Sequence, residues 1–567
     1  MKKEGVLIFI IVSFIMITSS YAPSISSCNN FTSSGIYTLS SDILNSSVEK
    51  CMNISSNNVV LDCQGYSIEG DGITKYGIYA KRGSSEDANI TIQNCHLNNW
   101  NADTFKGVMN FEYTDKINII NSSSNNNAFL TSGLSFNFVE IVNINNFTGN
   151  NNYYGINLVS NANNVIINNS ITNNNNIGVY VQISTNINLS NYISSNNTEG
   201  IKSNSGDFNI NNFNISDNRN YGIHFYNPYT NTNNILNGIV SENGKFDIWL
   251  GTPFTGSDCD KIIISNVNSS ENREIKLQAS SGSLNNKEYG ELIICDADGI
   301  IDLDNVTVNG SNSLKNNGII FYNHNVAANS VWNNIKSEGN LYGVYTGSFA
   351  YLLEIKNSQF IDNEYGFYFE NFGNLFYPNK VYNSTFNNTY NIYLNPGIND
   401  GNYWNNSIEG NYYFTPDGTG ISDLCSDLNS NGICDYPYQH LFNNTDYLPK
   451  TKKLGNIYNF SISSCQKLFE VGNHTLANSI LNSNKTKCME IVSENISLDC
   501  QNYLIQGQDI SNSIGIYSQV NNGIVKNCNI LNWMSGVFFS NQNSNNISNS
   551  NIYDNTYGIY FNQANNN

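Results

Sequence analysis

A short phrase built around glycine returns along much of the chain at a nearly constant interval. From Gly133 onward the steps between these glycines are 22, 23, 22 and 22 residues, and steps of 21 to 25 residues recur later. The glycines are Gly77, Gly107, Gly133, Gly155, Gly178, Gly200, Gly222, Gly318, Gly343, Gly366, Gly515, Gly536 and Gly558. A period of this length, punctuated by Gly and Asn, is typical of a protein that stacks coil on coil.

The segments between the glycines alternate apolar and polar residues, as in NNVIINNSITNNN, which favours short β-strands over helices. Strands of successive coils would then lie about 4.8 Å apart. Asn suits the tight corners because it tolerates a left-handed backbone, and stacked Asn side chains can bond from one coil to the next. The sequence therefore predicts an all-β fold, a parallel β-helix or solenoid.

The residue after each glycine is apolar and is predicted to point into the coil, so the next residue should point outward. Aromatic residues fill many of these outward positions. They are Tyr79, Tyr180, Tyr345, Tyr368, Tyr517, Phe538 and Tyr560. One interpretation is a platform on which sugar rings stack. The other is that aromatic side chains simply pack well on neighbouring strands.

One stretch occurs twice, as CMNISSNNVVLDCQG from Cys51 and as CMEIVSENISLDCQN from Cys488. The cysteines of the two copies match at a constant offset of 437 residues, except the last, which matches at 433. They are Cys28, Cys51, Cys63 and Cys95 in the first copy, and Cys465, Cys488, Cys500 and Cys528 in the second. Each copy precedes a run of glycine-marked coils, so each should be a starting coil that covers the end of a solenoid.

Twelve cysteines in an exported chain imply disulfides, and four cysteines allow three pairings. Cys63 and Cys95 each end a strand-like run about one coil apart, where stacking brings the Cα atoms to about 5 Å, within disulfide range. The favoured pairs are Cys63–Cys95 with Cys28–Cys51, and Cys500–Cys528 with Cys465–Cys488. Cys425 and Cys434 are close in sequence, which leaves Cys259 to pair with Cys295. No cysteine is needed as a nucleophile or a metal ligand.

Residues 1–22 contain two lysines, an apolar core and small residues near Ala22, which predicts a secretory signal peptide, with an uncleaved anchor as the alternative. No later segment is apolar for long enough to span a bilayer. The predicted order is a first β-helix at 23–399 with a stapled coil at 28–95, a closing segment at 400–450, a linker at 451–464, and a second, incomplete β-helix at 465–567.

Charged residues make up only 13% of the chain and the net charge is -19. No basic surface exists to neutralise a phosphate backbone, so nucleic acid is not expected as a partner. Sequons such as those at Asn30 and Asn53 are compatible with surface glycosylation. The expected location is secreted or cell-surface, and the expected partners are extracellular glycans or other surface proteins.

Two groups of motifs carry a family likeness. One consists of NVVLDCQGYSIEG, YGIY and NITIQNC, and the other of GNYW, DLNSNGICDYPY and DYLP. They resemble the NosD-like right-handed parallel β-helix proteins, which are common among archaeal surface and exported proteins and related in fold to pectate lyases. The resemblance covers nearly all of the mature chain. It implies a right-handed β-helix outside the cytoplasm and little about activity, because this fold hosts lyases, hydrolases, adhesins and inert scaffolds. The family name is associated with copper, but the five histidines are scattered, so no copper site is predicted.

The best metal candidate is DLNSNGICD, which has the pattern of a calcium loop. The oxygen ligands would come from Asp427, Asn429, Asn431, the Ile433 carbonyl and Asp435, with Gly432 at the sharp turn. The position that carries a bidentate Glu in an EF-hand is Tyr438 here. The alternative is an Asn/Gly turn held by a Cys425–Cys434 disulfide.

The best catalytic candidate is CDADGIIDLDNV. Asp296 with Asp298, and Asp302 with Asp304, are spaced two apart, so each pair shares a strand face, and paired carboxylates are what glycoside hydrolysis requires. A lyase would also need a strong base, and the arginines lie far off in sequence, which favours a polar loop or coil edge. The sequence therefore predicts a structural, adhesive or carbohydrate-binding role without catalysis. The alternative is a polysaccharide lyase or glycoside hydrolase.

Overall fold

The computed structural model describes most of the chain after the predicted signal peptide. The described residues are 22–82, 88–204, 207–226, 232–251, 261–295, 300–311, 313–322, 330–347, 353–369, 379–394, 402–427, 431–440, 444–451, 459–469, 472–493, 496–521, 523–540 and 545–562. Within them, no helix is long and apolar enough to cross a membrane. The chain divides into two compact units, residues 1–209 and residues 210–567.

The first unit consists of short strands joined by tight corners. They are β1 (Ser24–Ile25), β2 (Asn29–Phe31), β3 (Gly35–Leu39), β4 (Ile43–Ser46), β5 (Lys50–Ile54), β6 (Val59–Asp62), β7 (Ser67–Gly70), β8 (Tyr76–Lys81), β9 (Asn89–Gln93), β10 (His96–Asn98), β11 (Gly107–Asn125), β12 (Ser132–Thr148), β13 (Tyr154–Val159), β14 (Val165–Asn168), β15 (Ile171–Asn173), β16 (Ile177–Gln182), β17 (Ile187–Ser195) and β18 (Glu199–Asn204). The next strand, β19 (Phe208–Ser216), crosses the unit boundary.

These strands pair in parallel, coil by coil, along three faces. One face runs β2, β5, β8, β11, β12, β13, β16 and β18. A second runs β1, β3, β6, β9, β11, β12, β14 and β17. The third runs β4, β7, β10, β11, β12, β15 and β17. The unit is a parallel β-solenoid, as the sequence predicts.

The core of the first unit is made of apolar rows that run from coil to coil. Along the first face, direct register partners form a row in which every side chain is 0% exposed. The row is Met52, Ile78, Met109, Leu134, Ile156, Val179 and Ile201. Burying a side chain of this size contributes about 1.5–3 kcal/mol, so the repeat supplies similar stabilisation at each coil.

The motif glycines are required by the approach of the next coil. A Cβ placed on Gly155 would lie 2.7 Å from the carbonyl oxygen of Gly178, and one on Gly178 would lie 2.4 Å from that of Gly200. Real Cβ atoms essentially never approach so closely. The glycine in each phrase therefore lets the backbones of successive coils pack together.

Asparagine shapes the corners in both of the ways expected from the sequence. Asn121 and Asn146 have left-handed backbones, with φ of 48° and 58°. Their side chains also stack, since Asn146 Nδ2 donates to Asn121 Oδ1 at 3.0 Å. At the next corner in the stack, Asn169 Nδ2 donates to Asn145 Oδ1 at 2.8 Å. Rows of this kind, which we call asparagine ladders, tie the corners of successive coils together.

The second unit contains further short strands and little helix. The strands are β20 (Tyr221–Phe225), β21 (Asn233–Ser241), β22 (Phe246–Leu250), β23 (Ile262–Asn268), β24 (Ile275–Gln278), β25 (Gly282–Tyr289), β26 (Glu291–Cys295), β27 (Ile301–Asn309), β28 (Gly318–Tyr322), β29 (Ser330–Asn333), β30 (Lys336–Glu338), β31 (Tyr342–Thr346), β32 (Leu353–Lys356), β33 (Gln359–Ile361), β34 (Tyr365–Phe369), β35 (Lys380–Tyr382), β36 (Thr385–Asn387) and β37 (Tyr390–Leu394). A 3₁₀ turn spans Ser270–Asn272.

Parallel stacking continues through this part of the second unit. One sheet contains, in order, β24, β26, β28, β31, β34 and β37. In a second sheet β27 pairs with two rows of strands. One row is β29, β32 and β35, and the other is β30, β33 and β36. Their inward residues form one core that includes Trp332, Phe360, Phe386 and Trp404. This unit is therefore also a parallel β-solenoid.

The closing segment adds β38 (Tyr412–Phe414), a short helix α1 (Ile421–Leu424), and the antiparallel pair β39 (Tyr438–Gln439) and β40 (Thr445–Asp446). β38 pairs in parallel with β36, so the segment continues the solenoid for one more strand before the antiparallel pair. Trp404 and Tyr413, both 0% exposed, close the apolar core.

The described residues from 459 to 562, which we call the second array, form three sheets of their own. The strands are β41 (Asn459–Ile462), β42 (Gln466–Leu468), β43 (Gly472–Leu476), β44 (Ile480–Ser483), β45 (Lys487–Ile491), β46 (Ile496–Asp499), β47 (Leu504–Gly507), β48 (Ile514–Ser518), β49 (Ile524–Lys526), β50 (Asn529–Leu531), β51 (Ser535–Ser540), β52 (Asn546–Ser548), β53 (Asn551–Ile552) and β54 (Tyr557–Asn562). β41 begins within the stretch predicted as a linker. Ile559, predicted to point inward, is 42% exposed on β54, the last described strand.

The duplicated sequence folds in the same way in both places. Trp100 and Trp533 are each 0% exposed, and their indole N–H groups donate to the carbonyl oxygens of Ile68 and Ile505, each at 3.1 Å. The disulfides are also equivalent, with similar Cα–Cα distances. They are Cys28–Cys51 at 4.4 Å, Cys63–Cys95 at 4.8 Å, Cys465–Cys488 at 4.3 Å and Cys500–Cys528 at 4.7 Å. These are the pairs that coil stacking favours.

A further disulfide, Cys425–Cys434, lies in the closing segment and is also the pair favoured by the sequence. Cys295 is disulfide-bonded, and Cys259, its predicted partner, lies outside the described residues.

Two carboxyl groups are buried in the second unit at positions where neighbouring coils carry the motif glycine. The strand registers place Asp247 beside Gly222 and Glu291 beside Gly318. Both acids are 0% exposed. Asp247 accepts hydrogen bonds from the side chains of Asn243 and Asn317, each at 2.8 Å, while Glu291 Oε2 accepts the backbone N–H of Ile248 at 3.0 Å.

Burial raises the pKa of Asp247 to about 6 and that of Glu291 well above its ordinary value, with the charge of Asp247 adding to the effect at Glu291. Glu291 Oε1 is buried without a hydrogen-bond partner among the residues that the structure describes. A protonated Glu291 fits this environment, because an ionised carboxylate there would stay unpaired.

Candidate binding cleft

The predicted catalytic carboxylates that the structure describes serve the solenoid itself. Asp302 and Asp304 share one face of β27, as their spacing predicts. Asp302 Oδ1 accepts the backbone N–H of Val331 at 2.8 Å, and Asp304 Oδ1 accepts the side-chain amide of Asn333 at 2.7 Å. Both therefore hold the next coil. Asp296 and Asp298 lie outside the described residues.

The predicted calcium loop is arranged around Asp427, which is 0% exposed. Its Oδ1 accepts the N–H of Asn431 at 3.0 Å and its Oδ2 accepts that of Gly432 at 2.7 Å, while Asn431 Oδ1 accepts the N–H of Ile433 at 2.9 Å. These bonds are those of a turn capped by its own side chains. Asn429 lies outside the described residues, and the backbone N–H of Asp435 donates to Ser426.

Within the described residues, no group of three or more His, Cys, Asp or Glu side chains converges in a way that could hold a metal ion. Calcium binding by the loop stays a prediction.

The aromatic residues predicted to point outward stack on one another from coil to coil, and Tyr79 and Tyr345 are buried. Tyr345, Tyr368 and Tyr393 form a column with ring centroids 5.7 and 4.8 Å apart and nearly parallel planes. Similar contacts join Tyr154 to Tyr180 at 4.9 Å, Tyr517 to Phe538 at 5.5 Å, and Phe538 to Tyr560 at 5.0 Å. The face of Tyr79 is covered by Lys50 Nζ at 3.9 Å. Within such a column most ring faces contact protein, so stacking a sugar on them is restricted to the ends.

The closing segment is built around a buried tyrosine–aspartate contact. Tyr413 donates from its hydroxyl to Asp446 Oδ2 at 3.1 Å, and the backbone N–H groups of Asn411 and Leu448 donate to the same carboxylate, each at 2.9 Å. Burial raises the pKa of Asp446 to about 6 and that of Tyr413 well above its ordinary value. Tyr413 is 0% exposed, so this pair holds the segment together and does not present its hydroxyl to solvent.

His440 is also part of this interior. Its ring lies 4.8 Å from Trp404, 5.0 Å from Tyr413 and 4.4 Å from Tyr438, measured between centroids. Burial lowers its pKa to about 3, so the imidazole is neutral at physiological pH. A neutral, enclosed histidine of this kind contributes packing to the segment and no charge to its surface.

A cleft of about 990 Å³ lies between the closing segment and the second array. Tyr436, Tyr438 and Tyr447 contribute to one wall, and Phe469, which follows β42, contributes to the other. Tyr447 is 68% exposed and Phe469 is 49% exposed. Neither of these two rings contacts another aromatic ring among the described residues, in contrast to the stacked columns, so each keeps a face open to a ligand.

The remaining lining of the cleft is polar and almost uncharged. It includes the hydroxyl groups of Thr415, Thr419 and Ser493 and the amide groups of Asn391 and Gln439. Asp435 is the only acidic residue among the described lining residues, and none of them is Lys, Arg or His. Open aromatic faces next to neutral hydrogen-bonding groups are suited to an uncharged, hydroxyl-rich ligand.

Sequence reasoning did not identify this cleft, although two signals were present. Tyr447 belongs to the DYLP motif, which contributes to the family resemblance. Phe469 stands where the first copy of the duplicated coil has Thr32, so the second copy gains an exposed aromatic residue that the repeat itself does not require. The predicted sites and the cleft share only Asp435.

Comparisons with known proteins add little to the site. No family model matches the sequence, and no curated protein matches it either. Among solved structures, the A-module of the mannuronan C-5 epimerase AlgE4 from Azotobacter vinelandii is similar with a TM-score of 0.28 and 12% identity, over 61% of this chain and 90% of that chain. A likeness at this level carries no argument about the chemistry of the cleft.

Proposed function

We propose that this protein is an extracytoplasmic β-solenoid that binds neutral glycans in the cleft between the closing segment and the second array, without cleaving them. The observation that carries the proposal is the pair of open aromatic faces, Tyr447 and Phe469, on a cleft lined by neutral hydroxyl and amide groups. The apolar C–H face of a pyranose ring packs on an aromatic face, and its hydroxyl groups bond to such neighbours.

Charge favours neutral over anionic glycans. The chain carries a net charge of -19, and the described lining of the cleft supplies one carboxylate and no cationic side chain. An anionic polysaccharide would approach a repulsive field and would find no Lys or Arg partner in the cleft.

The same lining supports binding over cleavage. Glycoside hydrolysis uses two carboxyl groups about 5–9.5 Å apart, and the described cleft residues include only Asp435. A location outside the cytoplasm is supported by the disulfides, which persist in oxidising environments. The NosD-like affiliation, the signal peptide and glycosylation are further parts of this proposal and rest on sequence motifs.

Binding should be measured by titration calorimetry of the mature chain with neutral and uronate-containing oligosaccharides selected from a glycan array. We expect Tyr447→Ala and Phe469→Ala each to weaken binding of a neutral glycan by about tenfold, the equivalent of about 1.4 kcal/mol. Tyr403→Ala is the matched control, because Tyr403 is 55% exposed in the same segment and does not line the cleft.

The proposal is wrong if both cleft variants bind as tightly as the unaltered chain, or if only anionic glycans bind. A depolymerisation assay on the same glycans tests the alternative function. New reducing or unsaturated ends would establish a hydrolase or lyase.

A further inference from the structure

The closing segment meets the last coils of the solenoid through backbone contacts that fix three side chains next to one another. Asn383 donates its backbone N–H to the carbonyl of Gly410 at 2.9 Å, and Lys450 donates its backbone N–H to that of Asn411 at 2.7 Å. A β-bridge also joins Lys450 to Tyr412. The chain from 409 to 412 is thus anchored to both Asn383 and Lys450.

The side chains of Lys450, Asn383 and Glu409 converge at this anchor. Lys450 Nζ lies 2.5 Å from Asn383 Oδ1 and 3.7 Å from Glu409 Oε1. The lysine side chain is only 16% exposed, and its Nζ lies 5.7 Å from the centroid of the Tyr412 ring. An amine, a carboxamide and a carboxylate are therefore held together in a partly shielded place.

One role of Lys450 is to end an asparagine ladder. Asn357 Nδ2 donates to Asn333 Oδ1 at 2.7 Å, and Asn383 Nδ2 donates to Asn357 Oδ1 at 2.6 Å, so every amide in the row points the same way. The last acceptor, Asn383 Oδ1, is satisfied by the ammonium of Lys450. The same row fixes the rotamer of the Asn383 amide, which sits on a left-handed corner with φ of 49°.

A fixed amide with an amine at its carbonyl and a carboxylate beside that amine has the groups needed for amide exchange. The carboxylate can take a proton from the ammonium, which frees a lone pair to attack the amide carbon. The amide nitrogen then needs a proton in order to leave as ammonia. The same carboxyl group can return it. The attacking nitrogen loses a second proton as the secondary amide forms, and that proton converts the released ammonia to ammonium, so no oxidant or reductant takes part.

We propose that Lys450 and Asn383 become joined by an intramolecular isopeptide bond, with Glu409 as the group that carries the proton. The bond from Lys450 Nζ to Asn383 Cγ forms, and the bond from Asn383 Cγ to Nδ2 breaks. The lysine ammonium and the asparagine carboxamide are consumed, one secondary amide and one ammonium ion are produced, and Glu409 ends as the carboxylate. Separated by 67 residues, the two side chains then close the end of this solenoid covalently.

The test is made on the unaltered mature chain by mass spectrometry after reduction and removal of glycans. We expect a mass one ammonia lower than the composition requires. Trypsin should fail to cleave after Lys450, and digestion with trypsin and a glutamate-specific protease should yield a branched peptide that contains Asn383 and Lys450. A branched peptide also distinguishes this bond from a succinimide at Asn383, which loses ammonia without linking two peptides.

Two variants test the assignment of roles. Lys450→Arg keeps a cation at the end of the ladder and should restore the full mass with the fold unchanged by circular dichroism. Glu409→Gln keeps the amine and the amide and should lower the branched fraction at least tenfold. The inference is overturned if Lys450 in the unaltered, denatured chain is cleaved by trypsin and labelled by an amine reagent, or if Glu409→Gln forms the branched peptide to the same extent.

Discussion

Glu291→Gln should remove a pH dependence from the stability of the second unit. Burial and the charge of Asp247 raise the pKa of Glu291 well above its ordinary value. The folded chain then keeps a proton that the unfolded chain releases. Because the folded pKa is the higher one, this contribution to stability is complete below the ordinary pKa of glutamic acid and is lost as the pH rises toward the folded pKa.

The size of the effect follows from one proton. A group that binds one more proton in the folded state lowers the free energy of unfolding by about 1.4 kcal/mol for each pH unit within this window. Asp247, with its pKa raised to about 6, contributes a similar slope at lower pH, so the part of the window above the titration of Asp247 reports on Glu291. In that part the free energy of unfolding of the unaltered chain should fall by about 1.4 kcal/mol per pH unit more than that of Glu291→Gln, whose amide does not titrate.

Urea unfolding at a series of pH values gives the free energy of unfolding of the unaltered chain and of Glu291→Gln as a function of pH. Tryptophan fluorescence can follow the unfolding, because Trp249 lies two residues from Asp247. Glu288 is an exposed carboxylate on the preceding strand, so Glu288→Gln is the matched control. Its free energy of unfolding should change with pH in the same way as that of the unaltered chain. Parallel lines for the unaltered chain and Glu291→Gln would show that Glu291 is ionised in the folded state, and the reasoning from burial would fail.

Three further substitutions test separate contacts by urea unfolding. Asn357→Asp removes the side-chain N–H that donates to Asn333 Oδ1 at an exposed corner, and should lower the free energy of unfolding by about 0.5–1.5 kcal/mol. A change near zero would mean that the ladder adds no stability. Asp427→Ala removes the acceptor of two backbone N–H groups and should cost about 1–3 kcal/mol in EDTA. If the loop binds calcium as predicted, the loss should be larger in calcium chloride, and an equal loss in both would contradict the cation site. Replacing Cys63 and Cys95 by Ser opens a loop of 32 residues and should cost about 4 kcal/mol, and a reducing agent should then have a smaller effect on the variant than on the unaltered chain.

The solenoid could be predicted because each of its requirements recurs at every coil. Gly155 and Gly178 are small because the next backbone is close, and Ile156 and Val179 are apolar because they share an interior row. The disulfide partners followed from the same stacking. Features that depend only on the spacing of coils could therefore be predicted from the sequence.

Features that break the repeat were harder to anticipate. Asp247 and Glu291 replace the motif glycine, and a comparison of each coil with that motif would have singled them out. The burial of Asp247 depends on how Asn243, Ser269 and Asn317 close around it, and that closure needs the fold.

The aromatic residues show the same limit. Alternation predicts that Tyr368 points outward, but whether its face is open depends on its neighbours, and here it contacts Tyr345 and Tyr393. Tyr447 and Phe469 are nonrepeating residues on either side of the predicted linker, and they face one cleft only after the closing segment and the second array are in place.

Because the amides of an asparagine ladder all donate in the same direction, deamidation of one side chain affects its neighbours. Hydrolysis of the amide of Asn146 would turn its donor into a carboxylate that faces the carbonyl oxygen of Asn121, so attraction between two coils would become repulsion. Damage at adjacent rungs would set like charges about 5 Å apart. Each corner therefore depends on the chemical survival of its neighbours, and spontaneous deamidation would loosen the coils in clusters around the first lesion.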